Sequence, residues 1–390
     1  MDELKEKIKE DIYSIKEELF SISKYIHDNP ETGRKEYKAS ARLEDVLERH
    51  GFKIEKGYMG MDTAFKADYE NGDGASIALM AEYDALVGMG HACGHNLICT
   101  SAVGAAIALQ PIIDKMGGRV TVFGTPAEET NGAKVTMSAD GAFDSYDIAI
   151  MAHPSDKYSV YSSSLAMDAL QFEYIGKAAH AASAPQEGIN ALDAVLQLFS
   201  SINALRQGMD ASSRVHGIIT DGGQAPNIIP DHAVACFYVR AATTQALNVL
   251  TGRVKNCAKG AELATGTLLK VSNFEYSFDN LVTNRHIAEI CRGNLKLLGI
   301  NEMAGDDSDT GSTDMGNVSH RVPSMHMYFK IVKEGTPGHS IEMREAAGSQ
   351  EGMNAMLTAA CALAMTASDV ITDNNLRLRI RDEFERSISK

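Results

Sequence analysis

Three short apolar runs, each ending in ionisable residues, constrain this chain more than any other feature. Ser76–Ala81 leads into Glu82-Tyr83-Asp84, residues 119–124 lead into Thr125-Pro126-Ala127-Glu128-Glu129, and residues 147–152 lead into His153-Pro154. Short apolar runs bounded by turn residues read as buried strands. Asn71-Gly72-Asp73-Gly74 supplies such a turn ahead of the first. Helical spacing at 97–115 and about 131–141 lies between the runs. Alternation of strand and helix predicts an α/β layer around a largely parallel, buried sheet. In open sheets of this kind ligands bind beyond the carboxyl ends of the strands, where these ionisable groups fall.

The rest of the chain fits around that layer. Leu4, Ile8, Ile12, Ile15, Leu19, Ile22 and Ile26 predict a helix over 3–28, stopped by Asn29-Pro30, and a second helix covers 35–50. From 165 to 278 the pattern changes. Strands at 169–175, 215–220, 233–240 and 268–276 and helices at 191–207 and 243–260 give the order β-α-β-β-α-β of a ferredoxin-like unit. Beyond it, 285–298 and 348–369 read as helices and 323–328 as a strand. The expected fold is an α/β catalytic domain with a central, largely parallel (mixed) sheet flanked by helices, plus an inserted α+β ferredoxin-like lid and dimerisation domain. The expected boundaries are 1–165 with 279–390 for the first and 166–278 for the second.

Charge limits the partners. With Lys+Arg 37 against Asp+Glu 52 the chain carries a net charge of -15 and has no basic run, so neither nucleic acid nor an anionic membrane is expected to bind it. The apolar stretch 97–113 carries Thr100, Ser101 and Gln110 and reads as a buried core helix rather than a membrane span. The charged N-terminal residues do not form a signal peptide. Six scattered cysteines show no paired framework, which makes a reducing cytoplasm the expected location.

Cys93 and His95 in Gly90-His91-Ala92-Cys93-Gly94-His95-Asn96, with Glu128, Glu129 and His153, form a donor set suited to zinc or another late divalent ion. Adjacent Glu128 and Glu129 point different ways from an extended or turning chain, so one can hold a metal while the other faces a water as general base. Taken singly, each motif is ordinarily structural: a Cys-Gly-His turn, a solvated Glu pair, a His-Pro turn. Their joint occurrence at three strand ends carries the reading. A Cys93 nucleophile with His95 as its base is the competing chemistry. It leaves Glu128, Glu129 and His153 without a role.

These motifs resemble a known family. Ala81-Glu82-Tyr83-Asp84-Ala85-Leu86, the Cys93 segment, Gly124-Thr125-Pro126-Ala127-Glu128-Glu129, Met151-Ala152-His153-Pro154 and the stretch from Gly311 to Ser319 are similar to the metallopeptidases that include aminoacylase, carboxypeptidase G and the auxin-conjugate amidohydrolases. The likeness spans essentially the whole chain and is greatest to the amidohydrolase branch and its β-alanyl-lysine-type dipeptidases. It implies two divalent ions, Zn or Mn with Co also compatible, held by Cys93, His95, Glu129, His153 and His339. Cys93 would be shared, Glu128 would be the base, and Asp84 would orient a ligand such as His95. His339, in Thr336-Pro337-Gly338-His339-Ser340, comes from the likeness alone. The wider family has His where this chain has Glu82, and the amidohydrolase branch lacks that His too. Val87 replaces a common Pro.

The likeness also implies a homodimer through the lid. His180, in Gly176-Lys177-Ala178-Ala179-His180, would then polarise the scissile carbonyl in the partner's active site. Asn227 and Arg240 would hold the substrate's carboxylate. The implied activity is hydrolysis of a dipeptide with a basic C-terminal residue. The alternatives are an N-acyl-amino-acid or p-aminobenzoyl-glutamate-type amidohydrolase and a catalytically inactive interaction protein, which would not need the ligand set.

Overall fold

The same alternation governs the computed structural model, which describes residues 3–305, 307–308 and 311–388. The strands are β1 (Lys53–Lys56), β2 (Phe65–Asn71), β3 (Ser76–Ala81), β4 (Gly118–Gly124), β5 (Ile148–Ser155), β6 (Ser162–Ser163), β7 (Ala166–Ile175), β8 (Arg214–Asp221), β9 (His232–Ala241), β10 (Leu268–Asn273), β11 (Asp307–Ser308) and β12 (Ser324–Lys330). The helices are α1 (Glu3–Ser14), α2 (Lys16–Asp28), α3 (Tyr37–Arg49), α4 (His95–Met116), α5 (Ala133–Ala139), α6 (Ala191–Arg206), α7 (Thr244–Thr265), α8 (Arg285–Leu297), α9 (Met315–Ser319), α10 (Ile341–Ala347), α11 (Gln350–Thr372) and α12 (Asn374–Ile388).

Contacts divide the chain into two units. One comprises 1–163, 281–309 and 314–390, and the other comprises 164–280 with 310–313. Residues 311–313 group with the insert through local bonds. The Leu165 N–H donates to the Gly311 carbonyl at 2.8 Å, and Arg240 donates to the Ser312 hydroxyl at 3.2 Å.

In the larger unit the sheet order is β1-β2-β4-β3-β5-β12. β4, β3, β5 and β12 run parallel, and β1 and β2 close one side antiparallel. Side chains alternate between two cores, as the two-residue strand period requires. Ile77, Leu79, Ile148 and Ile150 pack with α4 and α11, while Ala78, Met80, Ala149 and Met151 pack with Met137, Met315 and Val318. α4 and α11 are 22 and 23 residues long, with hydropathy sufficient to cross a membrane, yet 83% and 78% of their apolar windows are buried inside the fold. They are core helices, built from alanine so that they can approach closely.

The smaller unit is a four-stranded sheet ordered β10-β7-β9-β8, with every neighbour antiparallel. One face carries Phe172, Tyr174, Ala235, Phe237 and Val239 against α6 and α7. Gln171 and Glu173 alternate onto the other face and are only half-buried.

The differences from the sequence reading have local causes. The N-terminal helix is two helices, because Ser14 turns its hydroxyl back to the Asp11 carbonyl at 2.7 Å and competes with the helical ladder. α7 continues through Gly260 to Thr265, since its apolar stripe Val254, Ala258, Ala261 runs on and Gly266, at φ +72°, is the residue that caps it. β10 ends at Asn273 rather than Tyr276. β1 is too short and charged to give a strand signal, whereas β2 alternates Phe65, Ala67 and Tyr69 with Lys66, Asp68 and Glu70, a two-residue period that the sequence reading passes over.

The α4 seam depends on Gly104. A Cβ there would meet Leu19 Cδ1 at 2.9 Å and Ala360 Cβ at 3.5 Å. Gly104→Val is therefore expected to overpack the interface and lower unfolding free energy by about 1–3 kcal/mol in urea titrations, with the α/β secondary structure retained. An unchanged denaturation midpoint would show that the seam is loose.

Candidate metal centre

Three strand ends and one loop build the centre, and buried carboxylates hold them in place. β3 delivers Glu82 and Asp84, each about 1% exposed. Asp84 acts on two segments at once. Its Oδ1 accepts the His95 Nδ1–H at 3.0 Å, and its Oδ2 accepts the Glu129 backbone N–H at 3.0 Å. That fixes the tautomer of His95 and leaves Nε2 as the free donor atom, buried and without a partner.

Cys93 precedes α4 in a turn that needs Gly94. Gly94 has φ +77°, and a Cβ there would lie 2.7 Å from Pro154 Cγ. A side chain at 94 would push the Cys93 turn away from the end of β5. In this turn Cys93 Sγ lies 3.3 Å from His153 Nε2. His153 Nδ1 donates to the Pro154 carbonyl at 2.7 Å, so its Nε2 is the ligating nitrogen.

After β4 the chain turns through Ala127, which adopts φ +64°, a left-handed conformation costly for alanine. Glu36 holds it there. Its Oε1 accepts the Ala127 N–H at 2.9 Å and its Oε2 accepts the Thr63 hydroxyl at 2.9 Å. Between the Glu36 and Asp84 anchors the two glutamates diverge. Glu129 Oε1 meets His339 Nε2 at 3.2 Å, with His95 Nε2 at 3.8 Å. Glu128 lies in one group with Glu82 and Asp314 and in another with His95 and Glu129. His339 stands in a loop at φ +53° with half of its side chain exposed.

Ligating atoms of Cys93, His95 and His153 lie within 4.8 Å of one another, and so do those of Cys93, Glu129 and His339. Two donor triples sharing one sulfur fit two divalent ions. The buried His95 Nε2, which has no hydrogen-bond partner, says the same, since buried polar atoms otherwise find partners.

The electrostatics agree. Burial pushes the Cys93 thiol well up, with Glu129 adding to it, opposite to what an activated nucleophile needs and ordinary for a thiol that ionises on metal binding. Burial would raise Glu129 as well, but the His339 bond and His95 outweigh it and hold it low. Burial, then Glu82 and Glu129, drives the Glu128 carboxyl well above the usual carboxylate range, the direction that favours a group able both to take and to return a proton.

All five ligand positions, with Glu128 and Asp84, thus meet at one place. His180 and Asn227 lie in the smaller unit on paired segments: the Ala181 N–H donates to the Asn227 carbonyl at 3.0 Å, and His180 Nδ1 accepts the Ala182 and Ser183 N–H groups at 3.2 Å each. Arg240 lies near the other end of β9, over the Tyr238 ring at 5.7 Å. Arg240 is eight residues along β9 from His232, roughly 26 Å at the usual rise, whereas Asn227 lies in the loop that leads into the His232 end. Glu36, Lys134 and Asp314 are site residues that sequence reasoning misses. Glu36 and Lys134 sit among other charges and polar residues, where nothing marks a buried group. Asp314 lies within a motif that carries family likeness without a role.

Residues 168–264 match the family model described as a peptidase dimerisation domain. The Xaa-Arg dipeptidase of Mus musculus is 37% identical over 98% of this chain and 92% of its own length. A p-aminobenzoyl-glutamate hydrolase chain of Escherichia coli is 27% identical over 99% of this chain and 96% of its own. A solved Bacillus subtilis structure, a dinuclear metal-binding peptidase from the M20 family, superposes with a TM-score of 0.69 at 19% identity, covering 92% of this chain and 99% of that one.

Glu36 gives a pH prediction. Burial, with Asp84 beside it, raises its carboxyl from 4.5 to about 7. A raised carboxyl favours the folded state below the unfolded value, and that advantage is lost as pH climbs through about 7. The full difference is on the order of 3 kcal/mol. Metal-stripped wild type should lose stability between pH 4.5 and 7 relative to Glu36→Gln. Parallel melting temperatures across that window would remove Glu36 as the source.

Proposed function

The chain belongs to the M20 family of peptidases, and from that premise we propose that it is a metal-dependent dipeptidase cleaving the amide bond before a basic C-terminal residue. The pair of donor triples sharing Cys93, with Glu128 beside them, carries the amide-hydrolase chemistry. The preference for a basic residue rests on the full-length likeness to the Xaa-Arg dipeptidase. The p-aminobenzoyl-glutamate hydrolase likeness, at lower identity, is the second reading.

In this mechanism Cys93, His95 and His153 would hold one divalent ion and Cys93, Glu129 and His339 the other. Zn suits thiolate and imidazole donors, and Mn or Co is the alternative. Bound ions supply Lewis acidity and a water of lowered pKa. Glu128 takes the proton from the attacking water as the new C–O bond forms. The same proton then passes from Glu128 to the leaving nitrogen as the C–N bond breaks, which releases a neutral amine and a carboxylic acid, and the acid's remaining proton is lost to solvent. Asp84 keeps His95 in the ligating tautomer throughout. Arg240, a guanidinium with a buried Nε lacking a partner, is suited to the substrate carboxylate.

The test pairs substrate with metal. Xaa-Arg and Xaa-Lys dipeptides should exceed neutral dipeptides, N-acyl amino acids and p-aminobenzoyl-glutamate in kcat/KM. Chelation should abolish turnover, and Zn, Mn or Co should restore it. Glu128→Gln should keep its metal and lose about 10²–10⁴-fold in kcat, whereas Glu129→Gln should lose metal. Preference for p-aminobenzoyl-glutamate would transfer the assignment to the second reading. Full activity after exhaustive chelation, lost on thiol alkylation, would favour the Cys93 nucleophile.

A homodimer through the dimerisation domain belongs to the same proposal. Edge strand β8, with Ile218 65% and Ile219 41% exposed, supports it. His180 would then serve the site of the other protomer. Chains carrying His180→Ala and Glu128→Gln, each inactive alone, should regain part of the activity when mixed under exchange conditions. Absence of recovery in verified heterodimers would place His180 outside catalysis in trans.

A further inference from the structure

Glu82, Glu128 and Asp314 bring carboxylate oxygens within 4.8 Å of one another. Three carboxylates so close ordinarily make a seat for a metal ion. Here the cation is part of the chain. Lys134 Nζ lies 2.7 Å from Glu82 Oε1 and 2.6 Å from Asp314 Oδ1, with Thr125 Oγ1 at 3.5 Å. Lys134 and Asp314 are 0% exposed and Glu82 is 1% exposed. Removing an ammonium from water this completely is tolerated only where charge and hydrogen bonds are both returned to it. The hydrolytic steps above use Glu128 and none of the other three.

The arrangement has direction. The Lys134 backbone N–H donates to Asp314 Oδ2 at 3.1 Å while its ammonium binds Oδ1. Both ends of one residue therefore grip one carboxylate and tie the first turn of α5 to the start of α9. Across the ammonium, Glu82 has Oε1 committed to Lys134, and its Oε2 faces His95 Nε2 at 3.6 Å without a partner of its own. Lys134 thus decides which way Glu82 faces, and it is the ammonium that separates the mutually repelling carboxylates around Glu128. A Gly132 side chain would collide with this assembly, since a Cβ there would lie 2.3 Å from Asp314 Oδ2.

We propose that Lys134 is a positioning residue: an internal cation, clamped between Glu82 and Asp314, that holds the carboxylates around Glu128 in the geometry the base requires. The proposal rests on the reading of Glu128 as the base of an amide hydrolase. Without the ammonium nothing holds residues 82 and 314 in place around Glu128, Asp314 is left uncompensated, and the base leaves its place.

The experiment compares Lys134→Met, Glu82→Gln and the double variant, each assayed for metal content, melting temperature, kcat and KM on the best dipeptide. Lys134→Met should keep wild-type metal content and a KM within about threefold, and lose on the order of 100-fold in kcat, as a base misplaced by about 1 Å would. Glu82→Gln leaves the ammonium on Asp314 and should lose no more than about tenfold. The double variant removes one positive and one negative charge together. It should recover melting temperature yet keep the low kcat of Lys134→Met. A double variant as active as Glu82→Gln would make Lys134 a purely structural ion-pair partner and overturn the proposal. Loss of metal from folded Lys134→Met would overturn it too, by placing Lys134 in support of the ligands. If Lys134→Met does not fold, the comparison of Glu82→Gln with the double variant decides alone. A wild-type protein that hydrolyses no amide removes the underlying reading, and the proposal with it.

Discussion

Crowded negative charge is the constraint from which the rest of the larger unit follows. Glu36, Glu82, Asp84, Glu128, Glu129 and Asp314 gather beyond the carboxyl ends of β3 and β4, and most are nearly or wholly removed from water. Carboxylates in that setting either take protons or find compensation. The chain does both. Glu36 and Glu128 are driven toward protonation by burial. Asp84 is satisfied by an imidazole and a backbone N–H, and Glu82 by the Lys134 ammonium. Glu129 is left with two imidazoles beside it, His339 and His95. The residual negative character, joined to a thiol, is what a pair of divalent cations would neutralise, and it falls on the two triples that share Cys93.

This division of labour explains why neighbouring glutamates act differently. Glu128 and Glu129 differ in what faces them, not in chemistry: both lie near His95, but Glu128 also meets the buried carboxylates Glu82 and Asp314, and Glu129 also meets His339. The turn that separates them is held at both sides, Glu36 on the Ala127 amide and Asp84 on the Glu129 amide. The backbone carries strain where the function needs it, with left-handed conformations at Ala127 and His339. Gly94 serves the same end without strain, because it lacks the Cβ that would strike Pro154.

The fold is legible where the hydrophobic period is strong. The buried parallel strands are continuous apolar runs, and β3 matches its predicted span of 76–81. The insert's β-α-β-β-α-β order is equally plain, because one face of its sheet is wet and the strands alternate. The site is legible as far as strand ends can take it: Cys93, His95, Glu128, Glu129 and His153 lie close in sequence to the elements that present them. His339 is reached only through family likeness, since its loop has no periodic signal. Lys134 illustrates the remaining limit. A lysine in the first turn of a short helix reads as solvated, and its burial is decided by Asp314, 180 residues further on. Long-range pairing of that kind leaves no local mark.

Folding and ion binding are therefore coupled in this protein by construction. Each feature that prepares the centre costs stability in the metal-free chain: left-handed alanine and histidine backbones, a Glu36 carboxyl whose ionised form burial disfavours, and a thiol and carboxylates held where their charged forms are poorly solvated. Ions that bind the assembled triples and not the unfolded chain lower the free energy of the folded state alone. Their stabilising effect falls on the elements that bear those costs, the ends of β3, β4 and β5. The Glu82–Lys134–Asp314 clamp, whose cation is covalently attached, is the part of the same charge balance that holds whether or not a metal is present. In the proposed mechanism that separates the centre into a permanent half, which would set the place of Glu128, and an exchangeable half, whose ions would supply the reactive water.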